Sequence, residues 1–154
     1  MAGKSVITEA ARKKIGVEWP PKVFEIEKGA IVKFAAAIGD SNLLWADPEG
    51  AKKSRYGSLI ASPTFSCVME NTMGGANELI QDDIPLKRVL NGGNEWEYYD
   101  PIRPGDVIKV TSKIASMTER EGKTGLMLFT VFEHTFKNQH GKVVLKARST
   151  AIRY

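Results

Sequence analysis

The residues best suited to do chemistry lie in one segment between two predicted helices. A helix predicted over 27–38 stops at a turn over 39–42, and Asp47-Pro48 is typical of the start of a further short helix. Asp40, in the turn, is a carboxylate that could act as a base. Trp45 follows five residues later, and its indole carries no basic nitrogen. Asp40 is therefore the only group of the turn that could transfer a proton, where such a reaction commonly uses two.

Each of these side chains also has a structural interpretation. The carboxylate of Asp40 and the amide of Asn42 can each accept a hydrogen bond from the backbone two residues further on. Trp45 can line a ligand tunnel or pack in the core. The residues alone leave these alternatives open, although for Asp40 and Asn42 the pattern favours the structural role.

Several strong catalytic motifs are missing from the chain. It contains no phosphate-binding glycine loop, no HExxH and no GxSxG elbow. The two histidines, His134 and His140, cannot form a three-histidine zinc site, so we expect no metal. We expect His134 to be a hydrogen-bonded residue of a strand. Cys67, the one cysteine, is expected to be a buried, inert thiol.

Length and composition indicate an ordinary folded protein. The 154 residues fit one domain, 42% of them are hydrophobic, and 22 basic against 18 acidic residues give a net charge of +4. That mild charge does not indicate a nucleic-acid partner. We find no signal peptide and no apolar run near the roughly 20 residues that span a bilayer. These features predict a cytoplasmic, single-domain protein over 1–154 with no membrane partner.

The order of predicted elements favours an α+β domain. Helical patterns dominate up to about residue 90, and alternating patterns predict four antiparallel strands at 95–99, 107–114, 126–136 and 143–152. A helix predicted from Pro63 to about Met73 is apolar on most sides and is the obvious cover for the sheet.

Shorter elements complete this pattern. Thr8 is expected to cap a short helix through Lys14, and residues 23–26 to form a strand. The helix over 27–38 should bury one face made of Ile31, Phe34, Ala35 and Ile38.

Four stretches of the chain resemble one known family. GDSNLLWAD, residues 39–47, resembles the G-D-x-N-P-[LIV]-H-x-D signature of the MaoC-like dehydratases, also called R-specific enoyl-CoA hydratases. Residues 16–27, 56–65 and 90–106 resemble, in the same order, the opening, the A-P-P-T-F segment and the L-H-G-x-x-x-[FW]-x-Y-x-x-P-x-x-x-G-D stretch of its N-terminal type. The resemblance implies a hot-dog fold, a dimer, and acyl-CoA sites near the dimer interface.

The resemblance also implies roles for single residues. In catalytic members the Asp and His of the signature activate a water that adds to a trans-2-enoyl thioester. Here the Asp is Asp40 and the Asn is Asn42, but Trp45 stands at the His position and Leu43 at the Pro position. Gly57 matches the glycine before the central helix, where backbone N–H groups polarise the thioester carbonyl. Members without the His often pair with a second subunit that carries it.

These observations predict a subunit of an enoyl-CoA hydratase or 3-hydroxyacyl thioester dehydratase. The substrate would arrive as a CoA or acyl-carrier-protein thioester, with no other cofactor, and the assembly would be a homodimer or a heterodimer with a His-bearing partner. Lys52, Lys53 and Arg55 could contact the CoA phosphates or form ordinary solvated surface.

Three alternatives remain. The chain could be a non-catalytic acyl-CoA-binding or stabilising subunit, or an unrelated basic binding module. It could also be a hot-dog thioesterase, which would need a carboxylate on the central helix, with Glu70 and Glu78 as the candidates.

Overall fold

The computed structural model describes residues 5–72, 80, 83–122 and 125–154. The helices are α1 (Glu9–Lys13), α2 (Lys28–Ala37), α3 (Leu43–Ala46), α4 (Pro48–Lys52) and α5 (Ser66–Thr72). The strands are β1 (Lys22–Glu25), β2 (Val89–Tyr98), β3 (Val107–Gly122), β4 (Gly125–Lys137) and β5 (Val143–Arg153). No helix in the described part of the chain is long and apolar enough to cross a membrane.

The strands form one antiparallel sheet in the order β1-β3-β4-β5-β2. The four predicted strands are confirmed, and β4 is central as its apolar pattern indicated. β3 runs to Gly122, well past its predicted end at Ile114, after a register shift between Ile114 and Ser116. The extension is polar in sequence, and pairing with the apolar first half of β4 keeps it in the sheet.

The central helix covers the sheet as expected, but it is shorter and less enclosed than predicted. Residues 63–65 form a turn, so α5 begins at Ser66, and Met73 lies outside the described residues. Phe65 and Met69 are buried against inward-facing strand residues. Cys67 is only half-buried and Val68 is 40% exposed, because the strands cover one side of the helix. The expectation that Cys67 is buried is therefore wrong.

The shorter helices follow their predicted caps. The Thr8 side chain accepts a hydrogen bond from the Ala11 N–H at the start of α1. α2 buries Ile31 and Ala35, but Ile38 is 48% exposed. Ile38 is the residue that ends α2, with φ −91° and ψ 2°, so the helical periodicity no longer fixes its direction.

The core consists of two apolar clusters on the inner face of the sheet. Phe136, Val110 and Leu145 belong to the first, which α2, α3 and α5 cover; Phe132, Leu128 and Ile114 belong to the second. Alternate residues of a strand share a face, so His134 lies on this inner face between Phe132 and Phe136. A polar layer thus separates the two clusters.

β2 forms one edge of the sheet and is the most exposed strand. Nine of its ten residues are exposed, including Val89 and Leu90 at 42% and 52%. It pairs with β5 on one side only, within the described residues. A long edge strand of this kind presents backbone N–H and C=O groups that can pair with another chain.

Candidate active-site pocket

The turn before α3 is held by the side chains that the signature places there. The Asn42 N–H donates to Asp40 Oδ1 at 3.0 Å, and the Leu44 N–H donates to Asn42 Oδ1 at 3.0 Å. Asn42 is therefore the N-cap of α3, and Asp40 closes the turn ahead of it. The predicted structural roles of Asp40 and Asn42, as acceptors of backbone hydrogen bonds in the turn, are confirmed. A catalytic role for Asp40 stays a prediction.

Trp45 lies on α3 and is 91% buried, with 9% of its surface exposed. α3 is anchored to the segment before α5 by a hydrogen bond from the Ile60 N–H to the Leu44 carbonyl, 3.0 Å long. The Ala61 N–H in turn donates to the Ile102 carbonyl at 2.8 Å. These two bonds bring three separate segments of the chain together around the indole.

The three segments enclose a cavity of about 300 Å³, which we name the Trp45 pocket. That volume is at the lower end of the range of small-molecule sites. Asp100 is the one charged lining residue, and Lys142 and Arg103 neutralise it; the hydrogen bond from Lys142 is the main reason that the pKa of Asp100 is lowered. The lining residues are Leu44, Trp45, Tyr56, Ile60, Ala61, Ser62, Pro63, Ser66, Tyr98, Tyr99, Asp100, Pro101 and Ile102.

Two residues of this lining carry a buried polar atom with no hydrogen-bond partner. The atoms are Trp45 Nε1 and Ser62 Oγ. Tyr98, which also lines the pocket, donates its hydroxyl to the Pro63 carbonyl. A buried polar group that loses water without gaining a partner costs about 1–3 kcal/mol.

One of the three predicted phosphate-binding cations lies beside the pocket. The Arg55 guanidinium lies 4.8 Å from the centre of the Tyr56 ring and donates to its hydroxyl at 2.6 Å. Lys52 forms an exposed ion pair with Glu49 at 2.8 Å, and neither it nor the exposed Lys53 lines the pocket. Arg55 does not line the pocket either, but it contacts Tyr56, which does.

Gly57 has a local role in the turn after α4. Its φ of +65° is a backbone conformation that favours glycine, and its N–H donates to the Ser54 carbonyl at 3.0 Å. The turn accounts for this glycine, and its N–H already has an acceptor. A role as oxyanion donor stays a prediction.

The polar side chains that lie between the two core clusters are hydrogen-bonded to one another. His134 is 5% exposed, with Nδ1 2.7 Å from Ser112 Oγ and Nε2 3.4 Å from Ser149 Oγ. Burial lowers the pKa of His134, an effect that nearby Glu70 partly opposes. The expected hydrogen-bonded strand histidine is confirmed.

Glu70, one of the two candidate carboxylates for a thioesterase, already accepts a hydrogen bond from another side chain. Glu70 lies on α5 and accepts a hydrogen bond from Trp96 Nε1 at 3.0 Å. It does not line the Trp45 pocket. Glu78, the other candidate, lies outside the described residues. Over the described part of the chain, no cluster of three His, Cys, Asp or Glu side chains is placed to hold a metal.

Sequence reasoning identified Trp45 but missed most of the pocket around it. Tyr56, Ser62 and Ser66 come from the segment before and at the start of α5, and Tyr98 comes from the end of β2. The signal was present, since both segments belong to stretches that resemble the family. Only the fold, however, places them against α3.

Comparison with known proteins assigns the chain to a family. The family described as FAS1-like, dehydratase domain region matches residues 13–147. A UPF0336 protein of Streptomyces avermitilis is 37% identical over 112 residues, which cover 70% of this chain and 73% of that protein.

Two heteromeric complexes from Mycobacterium tuberculosis share the fold. The C-terminally truncated HadBC (3R-hydroxyacyl-ACP dehydratase) complex matches with a TM-score of 0.76 and 20% identity, over 90% of this chain and 96% of that one. The ChsH1-ChsH2 complex matches with a TM-score of 0.76 and 16% identity, over 94% and 92%. The chain has the hot-dog fold, and it belongs to the FAS1-like dehydratase domain family of MaoC-like proteins.

Proposed function

We propose that this chain is the His-lacking subunit of an enoyl thioester hydratase or 3-hydroxyacyl thioester dehydratase. The observation that carries the proposal is Trp45: an indole lines the pocket at the position where the family signature has its histidine. Indole cannot exchange a proton near neutral pH, so the acid–base partner that the family signature gives to Asp40 is missing here.

In this proposal, the chain contributes an acyl-binding pocket and a partner chain contributes the proton transfers. The lining of the Trp45 pocket is neutral apart from the paired Asp100, which suits an acyl chain. Arg55, at the Tyr56 side of the pocket, is the cation best placed to meet a phosphate of the CoA or acyl-carrier-protein thioester.

The long exposed edge strand supports the need for a partner. The free edge of β2 runs from Val89 to Tyr98, and Tyr98 itself lines the Trp45 pocket. A partner strand paired to this edge would end beside the pocket. Two structural neighbours, HadBC and ChsH1-ChsH2, are heteromeric complexes by name, which is consistent with a heterodimer here.

Co-purification followed by a hydration assay tests this function. The full chain is co-expressed with a short MaoC-like protein that carries the signature histidine, and hydration of crotonyl-CoA is followed through loss of the enoyl thioester absorbance. We expect a stable complex that hydrates crotonyl-CoA and an isolated chain that is slower by about 10²–10⁴-fold, the usual loss when an acid–base partner is missing. Equal rates for the isolated chain and the complex would contradict the proposal.

A further inference from the structure

The outer face of the sheet, opposite the side that the helices cover, carries a row of alternating charges. This charged row crosses the neighbouring strands β3, β4, β5 and β2 through cross-strand pairs, and its members in that order are Lys113, Glu133, Arg148 and Glu95. The Glu133 carboxylate lies 3.3 Å from Lys113 Nζ and 2.6 Å from an Arg148 guanidinium nitrogen. The charges of the row therefore alternate in sign from strand to strand.

Nearer the β3–β4 hairpin, the same face carries an apolar row. Phe129, Ile152 and Leu90 are cross-strand neighbours on β4, β5 and β2, and Leu90 is 52% exposed. They lie on the outer face, because Leu128 and Ala151, which precede two of them in the chain, are buried on the inner face. Strands that are apolar on both faces are typically covered on both. The apolar row therefore marks the outer face as a candidate interface.

Short side chains between the two rows form a shallow groove of about 540 Å³. Gly93, Thr150, Val131 and Ser116 are cross-strand neighbours in this groove. Because these side chains are short, a second sheet can approach the face to the usual spacing of about 10 Å between packed sheets.

The charged row is complementary to itself under one two-fold symmetry. If the axis runs parallel to the strands between β4 and β5, the outer faces of two copies meet and each row meets its own reverse. Lys113 then faces Glu95 of the second copy, and Glu133 faces Arg148 of the second copy. The apolar row meets the apolar row. An axis along the charged row would instead place each charge against its own copy.

We propose that the outer face is an interface with a second copy of this chain, packed sheet against sheet about this two-fold axis. Four strands and about ten residues along each make a face of about 600 Å². That area is of the same order as the 800 Å² or so that each partner buries in a standard interface. The Trp45 pocket lies on the helix side of the sheet, so this interface goes beyond the proposed function and leaves the pocket open.

The coupling between Lys113 and Glu95 tests this interface. Within one chain the two residues lie three strands apart, about 14 Å, where exposed charges are largely screened at 0.1 M salt. Lys113→Glu and Glu95→Lys should each lower the association constant of the full chain about tenfold or more, because each places like charges face to face across the interface. The double variant should recover to within about threefold of the wild type. Sedimentation equilibrium measures all four constants.

Two further variants keep the test decisive. Lys52→Glu is the matched control, because it makes the same charge change on an exposed lysine of α4 and should leave the association constant unchanged. Ile152→Thr shortens the apolar row without changing any charge, and should lower the constant about tenfold. Urea unfolding of each variant shows that it is folded.

Three results would overturn the inference. One is losses that add in the double variant, since like charges acting within one chain would add, whereas charges that face each other across the axis compensate. Another is a wild-type association constant that neither the charge variants nor Ile152→Thr changes. The third is a set of variants that weaken binding of a co-expressed His-bearing partner but not self-association, which would assign the outer face to that partner. Hydration by the co-purified complex is measured separately, so either proposal can fail while the other stands.

Discussion

Two regions of this molecule bury polar side chains, and they differ in whether those side chains have hydrogen-bond partners. In the layer between the core clusters, the hydroxyl of Ser112 lies 2.7 Å from Nδ1 of His134. Around the Trp45 pocket, Ser62 Oγ and Trp45 Nε1 have no partner at all. Satisfied polar groups of this kind stabilise a fold, whereas buried polar groups without partners cost stability and are rare in native structures.

Lack of a partner alone does not identify a site. Thr130 Oγ1, on β4, is buried and also unpartnered, but Thr130 does not line the Trp45 pocket. The distinguishing feature of the pocket is that two residues with a buried, unpartnered atom line the same cavity.

The largest expected effect comes from restoring a titratable group in the pocket. Trp45→His gives the chain the acid–base pair of the family signature, with Asp40 as the other member. If the rest of the site is preserved, hydration of crotonyl-CoA by the isolated variant should rise by up to about 10²–10⁴-fold over the wild type. Steady-state rates measure this, and no rise in a folded variant would show that the turn around Leu43 no longer holds a competent dyad.

The same substitution in the two regions should have different consequences for stability. Ser112→Ala removes the partner of buried His134 and should lower the free energy of unfolding by about 1–3 kcal/mol. Ser62→Ala removes a hydroxyl with no partner and should leave stability unchanged or slightly raised. Urea unfolding of both variants measures the difference in the free energy of unfolding. Equal losses in Ser112→Ala and Ser62→Ala would show that the two regions do not differ in this way.

Asn42→Ala tests whether the turn before α3 is held as the structure shows. The variant loses the N-cap hydrogen bond to the Leu44 N–H and should lose about 1 kcal/mol of stability. Asn42→Asp retains a capping oxygen and should lose less. Comparable losses in the two variants, measured by urea unfolding, would argue against the capping role.

The smallest expected effect is a pH dependence that originates in the His134 layer. Burial lowers the pKa of His134, so between the unfolded value near 6.5 and the lower folded value the unfolded chain binds more protons. Stability should therefore fall as pH decreases from about 7 towards 5. Glu119 and Glu133, whose hydrogen bonds to Ser5 and Arg148 lower their pKa values, should act only below about pH 4.5.

Thermal unfolding over this range measures the dependence. His134→Gln keeps a hydrogen-bonding side chain that does not titrate, so its curve should be flatter between pH 7 and 5. A wild-type stability that stays constant or rises as pH falls through this interval would contradict the assignment.

The sequence predicted the sheet better than the pocket, for a physical reason. Alternation along β3 predicted that Ile108, Val110 and Ile114 face the core, and all three are fully buried. In a sheet that is covered on one face, every second residue of a strand points into the core, so the sequence pattern shows which residues are buried. The Trp45 pocket is formed by segments near residues 45, 60 and 100. No local sequence pattern predicts that segments so far apart in the chain will be in contact. The central helix was predicted to be apolar on most sides and to cover the sheet, yet its residue Val68 is exposed, since an apolar helix does not reveal which of its sides the sheet will cover.

The central claim is that this chain holds no competent acid–base pair of its own. The most direct measurement is the rate of crotonyl-CoA hydration by the isolated wild-type chain beside its Asp40→Ala variant. The account predicts that both rates are equal and about 10²–10⁴-fold below the rate of the complex, and that Asp40→Ala also has little effect in the complex with a His-bearing partner. Robust hydration by the isolated chain, abolished by Asp40→Ala, would contradict it and would show that Asp40 works with another group of this same chain.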